Sequence, residues 1–295
     1  MRIGIIDVGS NTVRLLAAER GAGGLVYPLH EARRQVGLGE TIERRGRITD
    51  AKLAETARAA RDYAKLARRL DCDRLEVVVT APGRQSKNAD DLLGVLHRAV
   101  GVAPRVLSAK SEGRFAYLGA VAAAGVLPGL IAVCDVGGGS TEVAFGGRWV
   151  EPDWVDSIDL GSLRLSSRFF ANGTAQRSSV RAAGAEVRMH LQQQIGDATP
   201  DVALAAGGSA RALRKLVGRT LGRDELQAAI EMLVGRSPAK LARKHAIDLR
   251  RARTLLAGAV ILAEVQARLG VPFEVARGGL REGLAGQLLS ERQAA

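Results

Sequence analysis

Two short stretches of this 295-residue chain place an aspartate just ahead of small and hydroxyl-bearing residues: residues 7–12 read DVGSNT and residues 135–142 read DVGGGSTE. A carboxylate at the end of a buried strand can hold a divalent cation, directly or through water. Glycine, serine and threonine in the turn that follows bring backbone N–H groups and hydroxyls close to a phosphate, because no bulky Cβ blocks the approach. The two stretches therefore suit phosphate chemistry. Asp7, Asp135 and Glu142 are candidate metal-side carboxylates, and Gly9, Ser10, Asn11, Thr12, Gly137, Gly138, Gly139, Ser140 and Thr141 a candidate phosphate cradle. One GSNT turn alone is also what a plain hairpin needs, and Asp135 can simply cap its own turn. Two copies facing each other would form a clamp. The chain has no GxxxxGK(S/T), and neither turn opens a helix as a P-loop or Rossmann fingerprint requires.

The elements that must position these residues read as follows. Residues 2–19 form a strand, a tight turn at Gly9-Ser10-Asn11 and a second strand, with Val13, Leu15 and Ala17 on one face. Residues 36–50 read as loop and strand leading to a helix at about 50–70, with Thr49 or Asp50 as N-cap. A buried strand at 74–81, a helix at 89–100, a strand at 104–108 and a helix at 111–125 follow, which is α/β alternation. After Pro128 the pattern restarts: residues 129–150 are again strand, glycine turn and strand, an internal duplication at the scale of a domain. A helix at 180–195, a strand and turn at 202–213, a helix at 251–269, a strand at 273–279 and a helix from Leu280 complete the chain. No Pro/Ser-rich linker separates the halves, so a helix near 122–128 is expected to join them.

Length and composition bound the function. At roughly 150 residues per domain the chain makes two domains. Lys plus Arg number 43 against 31 Asp plus Glu, a net charge of +12, and a polyanion is a reasonable partner. Many arginines lie on helical stretches such as residues 55–70, where they form a solvated face. Tyr63, Phe115 and Tyr117 are the only Phe or Tyr between residues 60 and 120, too few for a base-stacking platform. Nucleic acid is therefore disfavoured against a phosphate polymer or a charged nucleotide. The first residues carry no basic leader, and the longest uncharged run is broken by Pro128 and Gly129, so no membrane segment and a cytoplasmic location are expected. Cys72 and Cys134 are too few for a disulfide framework, and His30, His97, His190 and His245 show no zinc-ligand spacing.

The paired turns, together with VVVTAPGRQSKN (77–88), VLSAKSEGRFAYLGAV (106–121), SIDLGSLRL (157–165), LAAGGSARAL (204–213) and RGGLREGL (277–284), resemble the exopolyphosphatase and guanosine pentaphosphate phosphohydrolase (Ppx/GppA) family. The motifs occur in order along nearly the whole chain, in the short form without a long C-terminal extension. The resemblance implies an α/β fold of two similar actin-like, ribonuclease H-like domains flanking a cleft. One would span 1–123 with a C-terminal helix at about 284–295, the other 124–283.

The resemblance also implies roles. Glu112 matches the family's general base, with Lys110 and Ser111 where relatives often carry further acids. Arg84 falls in the stretch where the family has Thr-Ser-Ala-x-Arg, which would set it near the transferred phosphoryl group, and this chain departs there to TAPGR, with Pro82 and Gly83 in a loop that changes the arginine's aim. Taken without the family, Glu112 is also the carboxylate expected in a first helical turn, with Ser111 or Ser108 as cap, and Arg84 a surface-loop cation. The implied activity is Mg²⁺- or Mn²⁺-dependent hydrolysis of the terminal phosphoanhydride of inorganic polyphosphate, in a protein that relatives suggest can be a homodimer. Guanosine pentaphosphate is the alternative substrate. A non-catalytic module that binds a phosphate polymer or nucleotide is the alternative of another class.

Overall fold

The computed structural model describes residues 1–21, 25–147, 151–170, 175–194 and 198–291. Three of the expected elements run past these bounds: residues 148–150, 195 and 292–295 lie outside the described residues.

The first half contains β1 (Arg2–Val8), β2 (Thr12–Arg20), β3 (Val26–Gln35), α1 (Leu38–Arg45), α2 (Asp50–Arg69), β4 (Arg74–Val79), α3 (Ala81–Gln85), α4 (Ala89–Val100), β5 (Arg105–Val106) and α5 (Ala109–Ala124). The second contains β6 (Ile131–Val136), β7 (Thr141–Gly146), β8 (Trp154–Ile158), α6 (Ser162–Phe169), α7 (Arg177–Gln194), β9 (Val202–Ala206), α8 (Gly207–Val217), β10 (Thr220–Leu221), α9 (Arg223–Leu233), α10 (Pro238–Lys244), α11 (Leu249–Leu269), β11 (Phe273–Val275) and α12 (Leu280–Ser290).

Each half builds one sheet, and the two sheets share a plan. The first has the order β3-β2-β1-β4-β5, the second β10-β11-β9-β6-β7-β8. In both, an antiparallel three-stranded meander is extended by parallel strands from its first strand: β1 pairs with β2 antiparallel and β4 parallel, β6 with β7 antiparallel and β9 parallel. The two hairpins close alike, with Gly9 N–H donating to Thr12 O at 2.9 Å and Gly137 N–H to Ser140 O at 3.0 Å. The registers then set Asp7 opposite Arg14 and Asp135 opposite Glu142. Duplication has kept the backbone and changed the charge.

Strand alternation decides which way these side chains face. In β1, Ile6 and Val8 enter a core with α1, α2 and α4 through Leu38, Ile42, Tyr63 and Leu92. Ile3 and Ile5 point the other way, against Phe115 of α5 and Leu284, Leu288 and Leu289 of α12. Asp7 shares that second face. In β6, Cys134 and Val136 enter the core built with α7, α8, α9 and α11, while Ile131 and Val133 meet Tyr117, Ala120 and Val121 of α5. Asp135 shares the α5 face. Both aspartates thus sit on the sheet faces that look toward each other, with α5 between them. The chain's last helix closes this layer: a Cβ on Gly119 of α5 would lie 2.0 Å from Gly279 O, and one on Gly283 of α12 would lie 2.0 Å from Phe115 O, so the two helices meet backbone to backbone.

Several sequence expectations change. Residues 38–45 form a helix rather than loop and strand, because Gly37 and Gly46, both with positive φ, end it on either side. TAPGR is a short helix with Pro82 in its first turn rather than a loop. β3, an edge strand without a clean alternation, had no sequence signal. The helix expected to link the halves near 122–128 ends at Ala124, and the strand expected at 273–279 stops at Val275. No described helix is long and apolar enough to cross a membrane.

Candidate functional site

The two turns meet. A Cβ on Gly138 would lie 3.0 Å from Ser10 Cβ and 2.9 Å from Asn11 Nδ2, and one on Gly139 would lie 2.6 Å from Gln85 Oε1, so the glycine run is what lets the halves close. Behind the contact is a cavity of about 120 Å³ lined by Asp7, Gly9, Ser10, Asn11, Thr12, Glu112, Asp135, Gly137, Gly138, Gly139, Ser140 and Glu142. Two of the expected residues lie elsewhere. Thr141 is fully buried on the opposite face of β7 from Glu142, and its hydroxyl donates to Leu160 O at 2.8 Å, so it serves the core rather than the cradle. Arg84 stands just behind the cavity wall.

Glu112 is placed by the first turn of α5, whose N-cap Ser108 accepts from Ser111 N–H at 3.0 Å. It is 7% exposed. Arg84 Nη1 forms a close ion pair with Glu112 Oε1 and also donates to Leu107 O at 2.7 Å. The α3 helix thus turns Arg84 onto the carboxylate, with Ser140 Oγ at 3.5 Å from its Nη2. Glu142 is likewise buried and accepts from Ser157 Oγ at 3.0 Å.

Burial and mutual repulsion hold all four carboxyls toward the protonated form. Burial raises Glu112 well above the usual range, Glu142 adds to the rise, and Arg84 opposes it. Burial, with Asp135, pushes Glu142 up to about 7. Asp7 and Asp135 are raised by burial against the pull of nearby arginines.

Those arginines are the part of the site that sequence reasoning missed. Arg14, Arg211, Arg251 and Arg281 line the same cavity. Burial, then Arg211, brings both Arg14 and Arg251 down to about 10. Among the described residues Arg14 Nε donates to Thr12 Oγ1 at 3.3 Å and Arg251 Nη1 to Ser209 Oγ, also at 3.3 Å, and neither guanidinium is hydrogen-bonded to a carboxylate. Arg281, 8% exposed at the side chain, is better held, donating to Leu15 O and Glu31 Oε2 at 3.3 and 3.0 Å. Arg14, Arg211 and Arg281 also border a second hollow of about 360 Å³, lined further by Arg33, Arg277, Glu31 and Glu282. Only Arg14 had a signal to find: strand alternation in a tight hairpin puts it beside Asp7. The others come from separate elements.

The residues fit a divalent cation in one particular mode. Asp7 Oδ1 is buried and accepts no hydrogen bond from the protein. Yet among the described residues no three His, Cys, Asp or Glu side chains stand close enough to cage a metal. One or two carboxylates, completed by water and phosphate oxygens, is the manner in which Mg²⁺ is usually held.

Comparison with known proteins agrees with this geometry. Residues 17–291 match the model of the Ppx/GppA phosphatase family. Exopolyphosphatase 1 of Mycobacterium leprae is 28% identical, over 96% of this chain and 88% of that protein. Exopolyphosphatase 2 of Mycobacterium tuberculosis is 28% identical over 91% of each. The solved Ppx/GppA family member of Aquifex aeolicus superposes with a TM-score of 0.84 at 26% identity, covering 100% of this chain and 99% of that one. With that match along nearly its whole length, and with two like α/β halves meeting on an acidic and arginine-lined cleft, the chain belongs to the Ppx/GppA phosphatase family and is a hydrolase.

Proposed function

We propose that the protein is an exopolyphosphatase, removing orthophosphate from the end of inorganic polyphosphate. The observation that carries this reading is the mixed lining of one cavity: buried carboxylates and two small-residue turns beside guanidinium groups that have no hydrogen-bonded carboxylate among the described residues. A linear polyanion can meet the turns and several of these guanidinium groups at once. The exopolyphosphatase names of the relatives above support the same substrate.

In this reading the turns at Gly9–Thr12 and Gly137–Ser140 donate N–H and hydroxyl groups to the terminal phosphate, while Arg14, Arg211 and Arg251 hold the phosphates behind it. One or two of Asp7, Asp135 and Glu142, completed by water and phosphate oxygens, would hold Mg²⁺ or Mn²⁺, whose contribution when bound is to neutralise charge on the phosphoryl oxygens. Arg84 pins one oxygen of Glu112 and leaves the other to orient water. Glu112, with its raised proton affinity, takes the water's proton as the oxygen attacks phosphorus in line. The bridging P–O bond breaks, the shortened chain leaves as a phosphate oxyanion, and no covalent enzyme intermediate forms. The lobes that close around this reaction are residues 1–123 with the C-terminal helix from about 284, and residues 124–283.

Orthophosphate release from short and long polyphosphate and from guanosine pentaphosphate, with Mg²⁺ present, tests the reading in wild type beside Glu112→Gln. Release from polyphosphate should fall by roughly 10²- to 10⁴-fold in the variant, the usual weight of a general base, with polyphosphate binding retained. Release from guanosine pentaphosphate alone would transfer the proposal to that substrate. An active Glu112→Gln would remove Glu112 from the base role.

A further inference from the structure

The stretch SIDLGSLRL contributes no residue to the reaction above, yet it contains the best-buried ion pair between the two lobes. Arg164 of α6 donates from Nε to Glu43 Oε1 of α1 at 2.7 Å, with side-chain exposures of 11% and 17%. Its Nη1 donates to Asp159 O at 2.8 Å and pairs with the Asp159 carboxylate. Asp159 in turn accepts from Gln85 Nε2 of α3, the residue next to Arg84, and the same Nε2 reaches Gly139 O at 3.3 Å.

The two helices joined by this pair are the ones that hold the turns. On the first lobe, Gly39 N–H at the start of α1 donates to Ser10 O at 2.8 Å, and a Cβ on Gly39 would lie 3.0 Å from Ser10 Cβ. On the second, the N–H groups of Ser162 and Leu163 at the start of α6 donate to Gly137 O and Gly138 O, each at 2.9 Å. A Cβ on Gly161 would lie 2.4 Å from the Gly138 carbonyl carbon, so there is no slack between helix and turn. Whatever draws α1 and α6 together therefore draws one phosphate turn onto the other.

We infer that Arg164 and Glu43 are positioning residues: their ion pair latches the lobes shut and sets the spacing of the two turns, with Asp159 and Gln85 holding Arg164 in place. The inference rests on the proposed function only for its effect on turnover. A half-buried charged hydrogen bond of this kind is poorly screened by solvent, and its loss shifts the closed population. Bound substrate bridges the turns by itself, so the loss is felt in apparent affinity and is recovered at saturation.

The test uses Arg164→Gln, Glu43→Gln, the double variant and Arg164→Lys. The radius of gyration without ligand is measured by small-angle X-ray scattering, tripolyphosphate binding by calorimetry, and KM and kcat for tripolyphosphate. The expected result is an expanded particle, tripolyphosphate affinity and KM worse by about tenfold for each single variant, the weight of one charge-assisted hydrogen bond, and kcat near wild type. The double variant should be no worse than either single, and Arg164→Lys should recover part of the loss. Scattering curves and affinities identical to wild type would overturn the latch, as would additive losses in the double variant. If Arg164→Gln does not fold, Glu43→Gln, which keeps the Asp159 contact, decides by the same readouts. Scattering and binding need no turnover. A wild type that leaves polyphosphate intact, beside variants that open, would therefore sink the exopolyphosphatase reading and keep the latch.

Discussion

At the scale of single residues, the site gathers buried charges, some paired, as Glu112 with Arg84, and some, as Arg14 and Arg251, without a hydrogen-bonded carboxylate among the described residues. Arg251 lies over Gly208, where a Cβ would come within 2.4 Å of its Nη2, and its proton affinity is depressed first by burial and then by Arg211. Replacing a buried ion that no carboxylate hydrogen-bonds with an apolar side chain of similar length is often stabilising. Arg251→Met should raise unfolding stability by about 1 kcal/mol, read by denaturant titration, while weakening tripolyphosphate binding. A variant that lost stability would show instead that Arg251 is held by its surroundings. This is also the scale at which sequence reading was most uneven. Glu112 and the two turns were legible because each is a local pattern with a motif behind it. Arg84 was legible by position, though its ion pair with Glu112 was not. Arg211, Arg251 and Arg281 were hidden because they start from α8, α11 and α12, and no local spacing joins three helices.

At the scale of elements, α5 has three duties. Its first turn presents Glu112, its next residues cover both sheets, and Gly119 admits α12 at backbone distance. Gly119→Ala inserts a methyl group where Gly279 O already stands at 2.0 Å, so the helices must part. We expect a loss of about 1–3 kcal/mol, typical of overpacking, together with reduced phosphate release because the same helix positions Glu112. Normal stability in this variant would mean that α12 can slide. The hairpins, α2, α4, α11 and α12 could be read from apolar periodicity and caps. Two of the missed helices share a reason: α1 lies between glycines and α3 carries Pro82-Gly83 in its first turn, signals that ordinarily announce a turn. β3 mixes Pro28 and several charges along an edge that needs no buried face.

At the scale of the whole molecule, part of the excess of 43 Lys plus Arg over 31 Asp plus Glu gathers around one hollow. Five arginines, Arg14, Arg33, Arg211, Arg277 and Arg281, line it beside two glutamates, Glu31 and Glu282. Attraction of this kind weakens as salt screens it. KM for long polyphosphate should therefore rise roughly tenfold from low to physiological ionic strength, with kcat much less affected. A salt-independent KM would place the substrate's grip on the turns alone.

The duplicated hairpins with unlike charge bear on a problem peculiar to the proposed substrate. An inorganic phosphate chain reads the same from either end and carries no base, sugar or side group to tell an enzyme which way it lies. A perfectly repeated pair of lobes would be equally indifferent, and would accept the chain in two opposed senses. Arg14 opposite Asp7 and Glu142 opposite Asp135 break that equivalence at matching positions of matching strands. On the proposed substrate, the direction of reading, absent from the polymer, would come from the unlike charges that the two matching hairpins carry.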